Sequence, residues 1–360
     1  MDRHPEAETD DAALREPAGS RRPRLNQATA VSLLVLAEEL APQLTGQAAK
    51  ASLVRLEARS DDLLAAIDWF VDEGRADEGL RLANALYRLW ITQRRFDEGD
   101  RWFARVLESG EGDVLLRGRA YLHAGFMPFW MGDDDAAQSR FDRALDIGRR
   151  LDNAQLISQA LGGLSRVALR RDVPEGRRLA RQALEVSEEA GDEAGRSNAL
   201  HLLGVGAQIA GDLPEAREWM TQRLALVRSL GNGFLVASEA SNLSMVERQL
   251  GNLEAAEMLA RETLEIGRRT GDQFTTPFAI AGLAAIATER GAYERAAMLV
   301  GAAEALMEAQ QMAWPPDERP HYDRMLDELP PAMGAAEFER ARAAGKAMPA
   351  DDAVDLALAR

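Results

Sequence analysis

Residues 211–232, GDLPEAREWMTQRLALVRSLGN, decide the fold. A glycine followed by an acid opens the stretch, a glycine followed by an amide closes it, and helix-forming residues fill most of the space between. Glycine at such a point supplies a left-handed helix terminus, and the Asp or Asn after it can cap the next helix. Pro214 falls at or just inside the first turn, where a missing N–H costs nothing. The apolar positions Ala216, Leu224 and Leu226 recur at helical spacing.

The same punctuation recurs on both sides. Gly191-Asp192, Gly231-Asn232 and Gly271-Asp272 are 40 residues apart, and Leu151-Asp152 lies one step earlier. An interleaved series reads Gly132-Asp133, Arg171-Asp172, Gly211-Asp212, Gly251-Asn252 and Gly291-Ala292, with steps of 39, 40, 40 and 40. Two turns per period imply two helices per repeat. Five residues after each turn of the second series stands a small residue (Ala137, Gly176, Ala216, Ala256, Ala296), which lets two helices approach closely. Ten residues further comes an aliphatic one (Ile147, Val186, Leu226, Ile266, Leu306). The column Leu145, Leu184, Leu224, Leu264 is broken by Glu304, while Gly125, Leu164, Gly204, Ser244 and Ala284 form another in the preceding helix. One hairpin of this kind cannot bury its own apolar face, so neighbours stack and bury it jointly.

The expected architecture is all-α, a solenoid of antiparallel helix pairs with about 40 residues per repeat. Residues 1–24 are expected to be a disordered tail, with RRPR as a possible basic docking element. Irregular helical repeats are expected over 25–111, five helix pairs over 112–311 and a helical cap over 312–360. Trp69, Trp90, Trp102 and Phe103 are expected in the core of the irregular region.

Composition narrows the function. The chain of 360 residues is 46% hydrophobic, 28% charged and 6% aromatic, enough apolar material for a long core. It has no cysteine, which removes disulfides and thiolate metal sites and agrees with a reducing cytoplasm, the expected location. The net charge of -16 is the reverse of a nucleic-acid footprint and favours a basic partner segment. No apolar run reaches the ~20 residues that span a bilayer, and the N-terminus has no signal-peptide core.

At the level of whole segments the chain resembles the tetratricopeptide family in its longer form. The repeat GDLPEAREWMTQRLALVRSLGN carries that likeness. The stretch LVRLEARSDDLLAAIDWFVDEGRADEGLRLANALYRLWITQRRFDEG resembles the segment after the ATPase module in large bacterial signal-transduction ATPases and transcriptional activators. The stretch from YERAAMLVGAAEALMEAQQMAWPPDERPHYDRM to the end resembles their C-terminal cap. The resemblance implies a right-handed superhelix whose first helices line the concave face. The chain has no G-x-x-x-x-G-K-[ST] loop and leaves no room before residue 30 for a DNA-binding domain. The expectation is therefore the sensor and interaction module alone. It would bind a protein or peptide, with a regulatory ATPase or transcription factor as candidate partner, and make no direct contact with nucleic acid.

A search for chemistry returns little. His4, His123, His201 and His321 form no H-E-x-x-H or ligand pair, and there is no G-x-S-x-G or S-x-x-K. No catalytic residue, metal site or cofactor is expected. The groove can be placed by register, counting back 13, 10, 9, 6, 3 and 2 residues from each turn of the second series. This gives Arg119, His123, Phe126, Phe129 and Trp130 in the first unit, Asn198, His201 and Gln208 in the third, and Ser238, Asn242, Met245 and Arg248 in the fourth. Polar heads interleaved with Phe, Trp and Met suit a peptide or small-ligand groove, with Asn242 and Arg248 as a conceivable carboxylate clamp. A small-molecule or peptide inducer sensor is the alternative, and an enzyme on a helical scaffold the remote one.

Overall fold

A computed structural model describes residues 25–359 apart from 45–48, 109, 272–273, 311, 313 and 315–318. The expectations for the tail, for RRPR, for Asp272 and for His4 fall outside the described residues. So does what is expected of the His321 side chain.

Among the described residues there are eighteen α-helices and no strand. They run α1 Gln27–Leu40, α2 Ala49–Glu57, α3 Ser60–Asp72, α4 Ala76–Thr92, α5 Phe96–Leu107, α6 Val114–Met131, α7 Asp134–Arg150, α8 Ala154–Leu169 and α9 Val173–Ala190. They continue α10 Glu193–Ile209, α11 Leu213–Ser229, α12 Gly233–Gln249, α13 Leu253–Thr270, α14 Thr276–Glu289, α15 Tyr293–Ala309, α16 Arg319–Met333, α17 Ala335–Lys346 and α18 Ala350–Leu358.

The turns behave as the spacing predicts, with two informative exceptions. Gly211 and Gly251 adopt φ of 78° and 81°, the left-handed region that ends a helix. Asp133, Asp172, Asp212 and Asn232 each accept a hydrogen bond from a backbone N–H of the following helix. At Leu151-Asp152, one of the two turns without glycine, Asp152 itself takes the left-handed position (φ 49°), and Asn153, one residue later, caps α8. Asn252 stands at the N-cap of α13 but makes no cap bond; its amide donates to Glu247 Oε2 at 2.7 Å instead.

Packing follows the small-residue columns. Ala137, Ala216, Ala256 and Ala296 are fully buried, and Gly176 is buried with them. Gly204 of α10 faces Met220 of α11 so closely that an added Cβ would lie 2.8 Å from the Met220 Cγ. Met220 is itself fully buried, worth roughly 1.5–3 kcal/mol by apolar transfer. Ser165 and Ser244 bury their hydroxyls by donating to the Gly176 and Ala256 carbonyls across the hairpin, both at 2.8 Å. In the irregular region Trp90, Trp102 and Phe103 are core residues, while Trp69 is half-buried against it.

Contacts between repeats set the curvature. The first helices approach one another, α4 with α6, α6 with α8, α8 with α10 and α12 with α14. The second helices from α5 to α15 stand farther apart. A stack closer on one side bends toward that side, so the even-numbered helices from α4 to α14 form the inner layer. At the far end, α15 and α17 cross with their backbones touching, since a Cβ on Gly345 would lie 1.8 Å from the Met298 carbonyl oxygen. Glu304, the residue that broke a leucine column, is buried there; it accepts from the Tyr322 hydroxyl and binds Arg342 at 2.7 and 2.9 Å.

Candidate binding surface on the inner helix layer

The inner layer carries a continuous run of polar side chains from α4 to α12. On α6, the His123 ring stacks on Tyr87 of α4 with centroids 4.3 Å apart, and its Nδ1 lies 2.8 Å from the Asn84 Oδ1. Burial, with the nearby Arg88 and Arg119 guanidiniums, pushes the His123 pKa down to about 3, so the ring is neutral at physiological pH. Burial also raises the Tyr87 hydroxyl to about 12.

Next along the layer, Arg166 of α8 donates to the Asn198 Oδ1 of α10 at 2.7 Å. Burial lowers the Arg166 pKa to about 10, a large change for a guanidinium, and the charge of Arg223 pushes the same way. A Cβ on Gly162 would lie 2.6 Å from the Asn198 Nδ2, so glycine there leaves room for the amide.

Between α10 and α12 the inner helices separate, and a buried charged cluster fills the gap. Glu239 of α12 is 0% exposed and Arg223 of α11 is 6% exposed. They form an ion pair, and the Arg223 Nε also donates to the Ser197 carbonyl at 3.0 Å. The Glu239 Oε2 receives the longer contacts of His201 Nδ1 and Asn242 Nδ2, both 3.4 Å, while its Oε1 has no hydrogen-bond partner. Those donors and the Arg223 charge overcome burial and hold the Glu239 pKa below the usual carboxylate value; burial and Arg223 lower that of His201.

Toward the C-terminal end the layer becomes aromatic. Phe278, Trp314 and Tyr322 follow one another at 5.7 and 4.5 Å between ring centroids. With Met245, Arg248 and Met325 they line a cleft of about 60 Å³. Among the described residues no group of three or more His, Cys, Asp or Glu is placed to hold a metal ion, and no helix is long and apolar enough to cross a membrane.

No family model matches the chain, and no curated protein matches it. Solved structures do. A Rap protein complexed with Competence and Sporulation Factor superposes with a TM-score of 0.57 at 12% identity, covering 91% of this chain and 98% of that one. NprR in complex with its cognate peptide NprX gives 0.51 at 12% identity over 81% of this chain and 88% of the other. A signal-transduction ATPase with a tetratricopeptide repeat sensor, from Pyrococcus horikoshii, gives 0.55 at 12% identity; the match covers 93% of this chain but 55% of the larger protein.

The chain has the tetratricopeptide-like repeat fold.

Within that repeat array the register-based candidates part company. His123, Asn198, His201 and Asn242 take part in the polar run. Arg119 is exposed beside His123, and Phe126 is half-buried against Tyr87. Trp130 is 53% exposed and stacks on Phe96 at 6.3 Å, at the end of its helix. Phe129 is 7% exposed and lies in the core beneath the Arg170 guanidinium, 3.7 Å away, so it presents nothing to a groove. Met245 and Arg248 line the aromatic cleft, and Ser238 and Gln208 are half-buried. The conceivable clamp of Asn242 and Arg248 is engaged within the chain, since Arg248 pairs with Glu289 at 2.7 Å and Asn242 turns to Glu239.

The register missed Arg166, Arg223 and Glu239, yet one of them leaves a trace in the sequence. Glu239 shares a column with Ala120, Ala160, Ala199 and Ala279, each 2% exposed or less, whereas Arg166 follows Ser165 as Met245 follows Ser244 and stands in the half-buried column of Phe126, Val205 and Met245. A charge in a column of buried apolar residues marks a specific partner or a specific purpose.

Proposed function

We propose that this chain is a non-catalytic interaction module of bacterial regulation that grips a protein or peptide segment along its inner helix layer. The observation that carries the reading is the polar run His123, Arg166, Asn198, His201 and Asn242 along the inner side of successive repeats. A solenoid needs apolar residues there only for helix contacts. Hydrogen-bonding heads at repeat spacing suit an extended segment laid across several repeats. The peptide complexes of the Rap protein and of NprR support this use of the scaffold. A regulatory ATPase or transcription factor is the partner class that the archaeal sensor's architecture suggests.

The absence of cysteine makes a clean test possible. Ser238→Cys and Gln208→Cys give single attachment points for a photo-crosslinker on the inner layer, and Arg217→Cys gives one on the outer side. Peptides selected against the full chain from a random library should crosslink at the first two and spare the third. Selection that enriches no sequence, or crosslinks concentrated on Arg217→Cys, rejects the reading.

A small-molecule sensor is the second reading, and the aromatic cleft is its observation. At about 60 Å³ the cleft is well short of the roughly 300–1,000 Å³ of ordinary ligand pockets. A metabolite there requires the α14–α16 contact to open. A ligand that binds raises the melting temperature by mass action, so a thermal-shift screen separates the two readings.

A further inference from the structure

We propose that the cleft where the last repeat meets the C-terminal cap, floored by Gly282 of α14 and walled by Met245, Phe278 and Met325, is a subsite for one aliphatic side chain of leucine size on the segment that the inner layer grips. This rests on the interaction-module reading and adds an apolar anchor to it.

Gly282 is the decisive residue. Glycine weakens the interior of a helix relative to alanine, so a packing reason normally keeps it there. Gly125 and Gly163 make way for Phe141, Gly204 for Met220, and Gly301 and Gly345 for the facing backbone where α15 crosses α17. A Cβ built on Gly282 meets nothing within 4 Å. Every other described glycine with that much space has a positive φ, which explains it by backbone conformation. Gly282 has neither a neighbour that needs the room nor a left-handed backbone.

The space beside it opens on the groove. Counted back from Gly291, Phe278, Ala281, Gly282 and Ala285 stand at 13, 10, 9 and 6 residues, the offsets that turn toward the inner surface. Forty and eighty residues earlier the place of Gly282 is held by Asn242, which reaches Glu239, and by Leu202, which is buried. The opening is therefore a feature of this junction, where α16 of the cap adds Tyr322 and Met325, and not of the repeat.

Size and lining select the occupant. At about 60 Å³ the cleft exceeds the roughly 10–15 Å³ that one water needs and falls short of the roughly 150 Å³ of a cavity that takes benzene. An isobutyl group lies between the two. The polar ends on the wall are spent within the chain: Ser244 donates to the Ala256 carbonyl, Tyr322 donates to Glu304, and Arg248 pairs with Glu289. Water there finds few partners, while methyl and methylene groups meet thioethers and rings that adapt to their shape. Met245 stands three residues beyond Asn242 on α12, one turn along the same face, so a segment lying on the polar run reaches the cleft directly.

The experiment uses the full chain with ¹³C-labelled methionine methyls and four probes, the N-acetyl amides of leucine, alanine, phenylalanine and lysine. In an NMR titration to tens of millimolar, the leucine amide should shift the Met245 and Met325 methyls saturably and leave Met220, in the α10–α11 contact, unmoved. It should bind at least about tenfold more tightly than the alanine amide, which buries three fewer carbons, and the lysine amide should not bind. Gly282→Leu places the chain's own isobutyl group in the cleft and should abolish the shifts. That variant should melt at the parent temperature or higher, because it fills open space and removes a glycine from a helix.

Absence of saturable shifts with the leucine amide overturns the proposal. So does an equal response to the alanine or lysine amide, or unchanged binding in Gly282→Leu. Tighter binding of the phenylalanine amide overturns the aliphatic assignment in favour of a ring. A Gly282→Leu protein that melts several degrees below the parent overturns it as well, since the cleft would then be filled from within. If library-selected peptides crosslink to the inner layer while the leucine amide leaves both methyls unmoved, the interaction module stands and only this subsite falls.

Discussion

The two helix layers of this solenoid handle charge in opposite ways. On the outer layer, arginines reach carboxylates in a neighbouring repeat: Arg140 to Asp100, Arg177 to Glu215 and Arg228 to Glu262. Cation and anion both come from the chain, and the pairs sit where water can screen them. Between the layers and on the inner side, Glu239, Arg223 and Arg166 are withdrawn from water to different degrees, and their compensation is uneven. Glu239 and Arg223 neutralise each other beneath His201, whereas Arg166 meets only an amide. These outer-layer pairs are thus complete within the chain, whereas Arg166 has no carboxylate partner among the described residues. An array that must stack needs the first condition, and an array that must hold something benefits from the second.

The comparison breaks most sharply at Glu239. Glu239→Gln leaves Arg223 buried at 6% exposure with no counter-charge. Breaking a buried pair from one side costs roughly 3–5 kcal/mol, so the melting temperature should fall by several degrees or the array should lose cooperativity. The double change Glu239→Gln with Arg223→Met should recover much of the loss. A single variant that melts with the parent would mean that water reaches the cluster and that the two layers do not differ as described.

The contact between the layers is tested at Gly204. Gly204→Leu drives a side chain into Met220, and overpacking of this kind costs about 1–3 kcal/mol. Calorimetry or urea unfolding reads it directly, and a neutral result would misplace the face that α10 turns to α11.

That position also shows what was legible in the sequence. Repeat length, turns, hairpin contacts and most of the column with Gly204 follow from spacing, because close packing of equivalent helices forces the same residue sizes to recur every forty residues; in α8 the contact falls to Ser165, one residue beyond the expected Leu164. Glu304 was legible in the same way, as a break in a leucine column that became the anchor for Tyr322 and Arg342. The inner surface was only half legible. Register found His123, Asn198, His201 and Asn242, since their offsets point into the groove. It passed over Glu239, whose offset belongs to the buried side, and over Arg166, because α8 is one residue shorter from cap to turn than its neighbours and a count back from the turn lands on Ser165 instead. Phe129 failed for the converse reason, because a groove offset near a helix end is covered by the capping Arg170. Offsets say which way a side chain starts, and long side chains do not stay where they start.

His123 gives a smaller and sharper measurement on the inner layer. Its folded pKa of about 3 lies below the 6.5 of an unfolded histidine. Between those values the unfolded chain binds the proton and the folded chain does not, so the stability contributed by the neutral ring is present above pH 6.5. It is lost as pH falls toward 3. Relative to His123→Gln, the parent should lose at most about 1.4 kcal/mol per pH unit below 6.5. NMR of the ring protons should show no titration between pH 8 and 5. A midpoint near 6 would mean that the Tyr87 stack is open to water and that the positive field around Arg88 and Arg119 is weak.

The outer layer should barely respond to the equivalent change. Arg228 and Glu262 are 49% and 32% exposed at 2.6 Å, a geometry good enough to be seen and too wet to be worth much. Exposed pairs typically contribute about 0–1 kcal/mol, so Arg228→Gln should shift the melting temperature by a degree or two at most, and less in high salt. The same substitution, Arg to Gln, is then made in both layers: at Arg228 it removes a paired charge with little consequence, and at Arg166 it removes an unpaired one with none or a gain. If Arg228→Gln instead cost several kcal/mol, the repeat-to-repeat ion pairs would be holding the array together. The outer layer would then have to count as structural in its own right, and the inner layer's incomplete compensation would lose its contrast.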